Sequence, residues 1–235
     1  MSSTQALIDT LVIANRILAR YGIVDGFGHI SVRDPAAPDR FLLSRSLAPG
    51  QVTRADIMTF DLDGNAQNGD TRAPYLERFI HGEILRCRPD VVSVVHNHSP
   101  SVIPFGAARV PLQPLYHMSS FLGRGSAHFE IRDAGGDTDM LIRDRALGAA
   151  LARTLGDHTV VLMRGHGVTV VGGSIEEAVF RSIYTETNAK LQMQALALGE
   201  PTFLNQGETE RSTHTNRGVL RRAWDLWERE VGPAE

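Results

Sequence analysis

Apolar residues recur along this chain with two periods, and each period predicts one kind of secondary structure. Leu7, Leu11 and Ile17 follow a helical spacing, and Gly22 stands where a helix commonly ends. Short runs rich in β-branched residues alternate with such stretches and predict strands. The helices are predicted at residues 4–21, 76–88, 142–155, 174–198 and 213–230. The strands are predicted at residues 29–33, 41–44, 57–62, 91–98, 159–163 and 168–171.

The order of these segments indicates how the domain is organised. The first three strands are predicted to be adjacent and antiparallel, and a turn signal follows them at residues 63–65. Residues 99–139 are rich in Gly and Pro and show no sustained period, so we predict loops around one short strand at 112–118. The tail places Trp224 and Trp227 on one helical face. A helix this apolar must pack on the rest of the domain or on a neighbouring subunit.

Length, charge and cysteine content exclude several classes of protein. The 235 residues are enough for one well-buried domain, and we expect residues 1–235 to form one. The net charge of −3 and the lack of any Lys/Arg run favour a small-molecule ligand over nucleic acid or an anionic membrane. Cys87 is the only cysteine, residues 1–5 lack the start of a secretion signal, and no apolar run approaches the roughly 20 residues of a membrane span. We therefore expect a cytosolic protein.

Three histidines at the ends of apolar, β-branched runs point to metal chemistry. His96 and His98 are two residues apart, so a strand presents both imidazoles on one face. His166 ends another such run and is bracketed by Gly165 and Gly167. Neutral imidazoles suit zinc and other divalent transition metals, and three of them with a carboxylate complete a metal site. The alternative is a set of ordinary hydrogen-bonded histidines.

The missing ligand is expected to be acidic, and two glutamates lie on the helix predicted before the His96 strand. A short turn can return the carboxylate of Glu77 or Glu83 to the end of that strand. His81 follows Glu77 by four residues on the same helical face, so it is a ligand, a partner of Glu77 or an ordinary helix residue. His117 is a further candidate for function, and Tyr184 on the long helix is typical of a core position.

A glycine-rich segment at residues 26–33 has the composition of an anion-binding loop. Glycines let backbone N–H groups approach a ligand, and the hydroxyls of Ser44 and Ser46 with the guanidinium of Arg45 are suited to carboxylate or phosphate oxygens. The alternative is an ordinary glycine-rich turn between a helix and a strand.

Several of these motifs together resemble the class II aldolase and adducin family. The resemblance runs from about residue 5 to about residue 200 and rests on four segments, which are residues 28–33, 77–90, 95–98 and 165–167. It implies a single α/β/α domain with a central, mainly antiparallel sheet. It also implies a homotetramer with active sites between subunits, and one divalent metal ion bound by Glu77, His96, His98 and His166.

Two departures from the sugar-phosphate aldolases of this family change the expected function. Those aldolases carry Asn where this chain has His29, and a Thr-Gly phosphate loop where it has residues 44–46. The chain is instead similar to a decarboxylase branch that acts on 3,4-dihydroxyphthalate or on 3-hydroxy-2-methylpyridine-4,5-dicarboxylate. The resemblance therefore implies a metal-dependent carboxy-lyase for an ortho-hydroxy aromatic dicarboxylate, with phthalate breakdown as its setting. The alternatives are an aldolase or epimerase acting on a sugar or sugar acid, and a non-enzymatic adducin-like module.

This chemistry assigns a role to each candidate residue. The ion, Mn²⁺ or Zn²⁺ with Co²⁺ and Fe²⁺ as alternatives, is expected to chelate the ring hydroxyl and the departing carboxylate. Glu77 is either the fourth ligand or the acid that protonates the ring, and His81 and Tyr184 are expected to relay protons. The residues expected to bind substrate are His29, Ser31, Ser44, Arg45, Ser46 and His117.

Overall fold

A seven-stranded sheet runs through the molecule and carries helices on both faces. The computed structural model describes residues 3–234. The strands are His29–Arg33 (β1), Arg40–Ser44 (β2), Ile57–Asp61 (β3), Ser93–Asn97 (β4), Ala127–Phe129 (β5), Val160–Met163 (β6) and Gly167–Gly172 (β7). The helices are Ser3–Arg20 (α1), Arg78–Cys87 (α2), Ile103–Ala108 (α3), Arg132–Gly135 (α4), Arg145–Leu155 (α5), Ile175–Leu198 (α6) and Gln206–Val231 (α7).

The strand order is β3-β2-β1-β4-β7-β6-β5. Every neighbouring pair is antiparallel except β5 and β6, which are parallel. The predicted α/β/α fold with a mainly antiparallel sheet is therefore confirmed. β4 lies at the centre, and its register sets His96 opposite His29 of β1 and opposite Thr169 of β7. Residues directly opposite in an antiparallel pair share one face of the sheet, so these three side chains lie together.

Alternation along the strands divides the interior into two cores. Ile30 and Val95 pack with α1, α6 and the buried Trp224 of α7 on one face. Val94 packs with α2 and α5 on the opposite face. Since His96 is two residues from Val94, it lies on the α2/α5 face.

Two glycines hold α2 close to its neighbours. A Cβ at Gly82 would lie 2.4 Å from the carbonyl oxygen of Leu62, and one at Gly148 of α5 would lie 2.6 Å from that of Phe79. A larger residue at either position would push α2 away from β3 or from α5. The position of the α2 N-terminus, where Glu77 is the N-cap residue, therefore depends on these close contacts.

The guanidinium of Arg33 fixes the other end of α2. It donates hydrogen bonds to the carbonyl oxygens of Leu85 at 2.6 Å, Arg88 at 3.0 Å and Val91 at 3.2 Å. The last carbonyls of a helix have no partner within the helix, and here a side chain of β1 supplies one. Arg33 thus ties the sheet to the connection between α2 and β4.

The prediction for the middle of the chain was wrong in one respect. Residues 112–118 form no strand, because their backbone N–H groups are bonded to side chains of α6 and not to another strand. The N–H groups of Gln113 and Leu115 donate to the side-chain oxygens of Gln192 and Asn188. The short strand of this region is β5, whose parallel partner β6 is distant in sequence. The hydrophobic periodicity within a segment carries no information about which distant strand it pairs with.

The C-terminal helix begins earlier than the predicted residue 213. Asn205 caps it by accepting a hydrogen bond from the N–H of Glu208, and the Glu208 carboxylate accepts one from the N–H of Asn205. The helix packs on α1 and α6 and buries Trp224 and Trp227. Within residues 3–234, no helix combines the length and the apolar character that crossing a bilayer requires. The expected cytosolic location stays a prediction.

We predict that Arg33→Ala lowers the free energy of unfolding by about 2–4 kcal/mol, because several carbonyl groups lose a charged donor. Urea denaturation of the purified variant measures this change. Arg222→Ala, which removes an exposed guanidinium from α7, should stay within about 0.5 kcal/mol of the parent protein. Equal stability of both variants would show that Arg33 does not hold the α2–β4 connection.

Candidate metal centre and active site

Four ligand atoms converge where β4 and β7 meet the N-terminus of α2. The Nε2 atom of His98 lies 3.2 Å from Nε2 of His96 and 3.1 Å from Nε2 of His166. The Oε2 atom of Glu77 lies 3.4 Å from Nε2 of His96 and 3.5 Å from Nε2 of His166. The potential ligand atoms of these residues all lie within 4.8 Å of one another.

The turn that carries His166 approaches β4 more closely than any residue with a side chain would allow. A Cβ at Gly167 would lie 2.2 Å from the carbonyl oxygen of Asn97 and 3.0 Å from Cδ2 of His98. Gly165 adopts a φ of +65°, which is the left-handed conformation that glycine tolerates. The glycines on either side of His166 therefore bring it to the histidines of β4.

Each carboxylate oxygen of Glu77 has a separate task. Oε1 accepts a hydrogen bond of 3.0 Å from the backbone N–H of Ile142, while Oε2 faces the imidazoles. Burial disfavours the charged form of the Glu77 carboxylate and raises its pKa. The imidazoles of His96 and His166 have the larger, opposite effect and hold the pKa of Glu77 well below its usual range. Glu83, the other acidic candidate, instead pairs with Arg145 at 2.8 Å.

The spacing of the four ligand atoms fits one divalent ion. Ligands at 2.0–2.1 Å lie about 3.3 Å apart around a tetrahedral ion, and adjacent ligands lie about 3.0 Å apart around an octahedral one. The four observed separations of 3.1–3.5 Å include the tetrahedral value and begin just above the octahedral one. Burial and the neighbouring imidazoles lower the pKa of His98 to about 4, so at neutral pH it has the uncharged form that binds metal. These four residues are therefore suited to holding one divalent ion.

A cavity of about 350 Å³ opens beside this cluster. Glu77 and His98 form part of its wall, and the ring of Tyr75 and the side chain of Leu141 form another part. Phe27 is 70% exposed and Leu76 is 55% exposed, although both line the cavity. The other lining residues are Gly26, Gly28, His29, Ser46, Leu47 and Ala48. The metal centre therefore faces a largely apolar, partly aromatic space.

His81 reaches this cavity only through His29. Its side chain is fully buried on the α2/α5 face, where Nε2 lies 2.7 Å from Nδ1 of His29 and Nδ1 lies 2.6 Å from Oγ of Ser31. Burial lowers the pKa of His81 to about 3, so the residue is uncharged at neutral pH. His29 lines the cavity itself.

The segment at residues 44–46 borders the cavity unevenly. Ser46 lines it, whereas Ser44 is buried and its hydroxyl donates to the hydroxyl of Tyr75 at 3.3 Å. The Nε atom of Arg45 pairs with the carboxylate of Asp56 at 2.7 Å, and Arg45 is not among the residues that line the cavity in this structure. Of residues 44–46, Ser46 is therefore the one that lines the cavity.

The structure does not bring two other candidates to this cluster within the chain. His117 is exposed at the start of a 3₁₀ turn, and its carbonyl oxygen accepts a hydrogen bond from Asn216 of α7. Tyr184 lies on α6 beside Phe180, with ring centroids 4.5 Å apart. Both belong to elements that pack on the opposite face of the sheet from the metal centre.

Sequence reasoning missed several residues of this site. Phe27, Tyr75 and Leu141 line the cavity, and the backbone N–H of Ile142 orients Glu77. Tyr75 stands two residues before Glu77, and that proximity was its only local signal. Leu141 and Ile142 come from a segment more than 60 residues away from Glu77 in sequence, so only tertiary packing places them here.

Comparison with known proteins agrees with the motifs. The profile of the class II aldolase and adducin N-terminal domain matches residues 9–193. The chain is 38% identical to the decarboxylase tropJ of Talaromyces stipitatus, over 95% of this chain and 93% of that protein. It is 36% identical to the 3,4-dihydroxyphthalate decarboxylase of Arthrobacter keyseri, over 81% of this chain and 79% of that protein.

The fold has a solved counterpart in the L-fuculose 1-phosphate aldolase of Glaciozyma antarctica. The TM-score is 0.79 at 23% sequence identity, with 97% of this chain and 92% of that chain covered. This likeness concerns the fold alone. The sequence matches show that the chain belongs to the class II aldolase and adducin family and to its decarboxylase branch, as its motifs predicted.

Proposed function

We propose that this protein is a divalent-metal-dependent carboxy-lyase that removes CO₂ from an aromatic ring bearing a carboxylate ortho to a hydroxyl and beside a second carboxylate. The predicted class, a carboxy-lyase, is confirmed by the relatives named as decarboxylases. The observation that carries the proposal is the cluster of Glu77, His96, His98 and His166 at the end of a cavity with aromatic walls. The substrate proposed first is 3,4-dihydroxyphthalate, and the corresponding hydroxypyridine dicarboxylate is the second.

Direct loss of CO₂ from an arene is difficult, because it leaves an electron pair in an orbital orthogonal to the ring system. Protonation of the carbon that carries the carboxylate removes this problem, since the ring carbonyl then collects the electrons. A divalent ion held by these four residues would polarise the ring oxygen and the adjacent carboxylate. The residues of the chain must therefore orient the ring and deliver a proton to one carbon.

The cavity is suited to a flat ring. Its volume lies within the range of roughly 300–1,000 Å³ that small-molecule sites occupy. Phe27, Tyr75 and Leu76 offer aromatic and aliphatic surface beside the metal ligands. We propose that these side chains contact the ring while its oxygens point towards Glu77 and the histidines.

The second carboxylate of the substrate needs a polar partner. We propose that it lies near Ser46 at the cavity wall, with Arg45 beside it. Asp56 engages only the Nε atom of Arg45, and within residues 3–234 no hydrogen bond occupies the two Nη groups. These groups can therefore donate to a carboxylate while the pair with Asp56 stays formed.

We also propose that the protein assembles as a homotetramer, and that His117 and Tyr184 of one subunit act at the site of a neighbouring subunit. The C-terminal part of α6 supports the assembly, because it exposes four large apolar side chains that a neighbouring subunit can cover. These are Leu191, Met193, Leu196 and Leu198. Light scattering of the purified protein measures the number of subunits.

We predict chelator-sensitive CO₂ release from 3,4-dihydroxyphthalate or from the hydroxypyridine dicarboxylate. Treatment with a chelator should abolish the ultraviolet spectral change of the substrate, and added Mn²⁺ or Zn²⁺ should restore it. His96→Ala should lose bound metal, as measured by atomic emission, whereas His158→Asn should retain it. Turnover by metal-free protein would contradict the proposal, and lack of turnover by metal-loaded protein would favour aldolase or epimerase chemistry.

We predict that Arg45→Ala raises KM for a dicarboxylate at least about tenfold, because one charge-assisted hydrogen bond to substrate is lost. Metal content should not change, since Arg45 touches none of the four ligands. Steady-state kinetics with an ortho-hydroxy monocarboxylate serves as the control, and its KM should be unaffected. An unchanged KM for the dicarboxylate would remove Arg45 from substrate binding.

A further inference from the structure

We infer that His29 is the group that carries the proton to the ring carbon, and that His81 and Ser31 are positioning residues that hold its imidazole in the required tautomer. The inference rests on the proposed decarboxylation. It changes the expected roles of three residues, because His29 and Ser31 were assigned to substrate binding and His81 to proton relay.

Few side chains that line the cavity can carry a proton, and His29 is one of them. Among the described lining residues, the side chains with an acidic or basic group are His29, Tyr75, Glu77 and His98. His98 and Glu77 are engaged at the metal site, and the second oxygen of Glu77 accepts the N–H of Ile142. The Tyr75 hydroxyl already donates to the carbonyl oxygen of Leu47. His29 is the group whose second ring nitrogen remains free.

The strand geometry builds a continuous chain of hydrogen bonds behind His29. His29 and Ser31 are two residues apart on β1, so both side chains face α2, where His81 lies between them. The two links measure 2.7 Å from His29 Nδ1 to His81 Nε2 and 2.6 Å from His81 Nδ1 to Ser31 Oγ. All three residues are buried. The imidazole rings of His29 and His81 therefore have little freedom to turn.

The direction of these hydrogen bonds determines what His29 presents to the cavity. A neutral imidazole has one donor and one acceptor nitrogen. When Ser31 accepts from His81 Nδ1–H, His81 Nε2 accepts from His29 Nδ1–H, and His29 Nε2 directs its lone pair into the cavity. Protonation of Nε2 leaves both links intact, and the link to His81 then becomes charge-assisted.

The proposed path moves one proton from the substrate hydroxyl to the ring carbon through His29. His29 Nε2 takes the proton of the substrate hydroxyl, and the resulting imidazolium gives that proton to the carbon bearing the carboxylate. The C–H bond forms as the ring becomes a dienone. The C–C bond to the carboxylate then breaks, CO₂ leaves, and its electron pair returns to the ring to give the aromatic phenolate. A second proton, from water, completes the hydroxyl of the product.

Kinetics of His29→Asn and His29→Gln test the role of His29. Both variants should lower kcat by about 10²- to 10⁴-fold, the usual contribution of a general acid or base, with metal content unchanged. Both variants should also stop the exchange of deuterium from D₂O into the product, at the ring carbon that carried the carboxylate. NMR of the product measures this exchange, which involves no loss of CO₂. The control His158→Asn removes a half-buried histidine that bonds the carbonyl of Gly125. Values of kcat within about threefold of the parent protein would overturn the role of His29.

The role of Ser31 predicts a separate effect on kcat and KM. Ser31→Ala removes the acceptor that fixes the tautomer of His81, so kcat should fall about tenfold while KM and metal content stay unchanged. Ser182→Ala is the control, because it removes a buried hydroxyl that donates to the carbonyl oxygen of Ala178 within α6. A change in KM alone would assign Ser31 to substrate binding instead.

The tautomers give a test that does not depend on turnover. Nitrogen-15 NMR of the zinc-loaded protein should find His29 and His81 both protonated on Nδ1, and Ser31→Ala should shift His81 towards the other tautomer. A proton on Nε2 of His29 in the resting protein would overturn the inference, whatever the substrate proves to be. If the wild-type protein has these tautomers yet releases no CO₂ from either dicarboxylate, the proposed function fails while the hydrogen-bond chain stands.

Discussion

The register of β4 against its two neighbours is the constraint on which the site depends. His96 stands opposite His29 on one side and opposite Thr169 on the other, and all three side chains face α2. A shift of one residue would turn His96 and His98 into the core beneath α1 and α6, because side chains alternate along a strand. Val94 and Val95, which precede His96 on β4, pack into different cores, so such a shift would also exchange their environments.

Close backbone contacts then complete the metal centre. Gly167 lets the His166 turn meet β4, and Gly82 and Gly148 let α2 lie near enough for Glu77 to face the histidines. The N–H of Ile142 holds one carboxylate oxygen and leaves the other for the ion. A ligand set assembled from one strand, one turn and one helix end therefore relies on contacts that tolerate no additional atoms.

The same arrangement suits two reactions, because aldol cleavage and decarboxylation next to a ring oxygen both require an ion that stabilises a developing oxyanion. The fold alone does not distinguish them. The difference must come from the cavity, where this chain has His29 and an aromatic wall formed by Phe27 and Tyr75. There His29 is hydrogen-bonded to His81, and His81 is hydrogen-bonded in turn to Ser31, so the orientation of the His29 ring is fixed beside the cavity.

The sequence by itself determined the helices and strands with a clear period, the family, and the shared face of His96 and His98, because spacing along a strand decides which side chains share a face. The choice of Glu77 over Glu83 came from the family resemblance. Tertiary structure decided what depends on distant contacts. It placed Leu141 and Ile142 beside Glu77 and paired Arg45 with Asp56. It also put the short strand of the middle region at Ala127–Phe129, beside β6, and not at residues 112–118. Hydrophobic periodicity depends on neighbouring residues and can be read from a short segment. These contacts depend on strand register and helix packing, which involve residues that are distant in sequence.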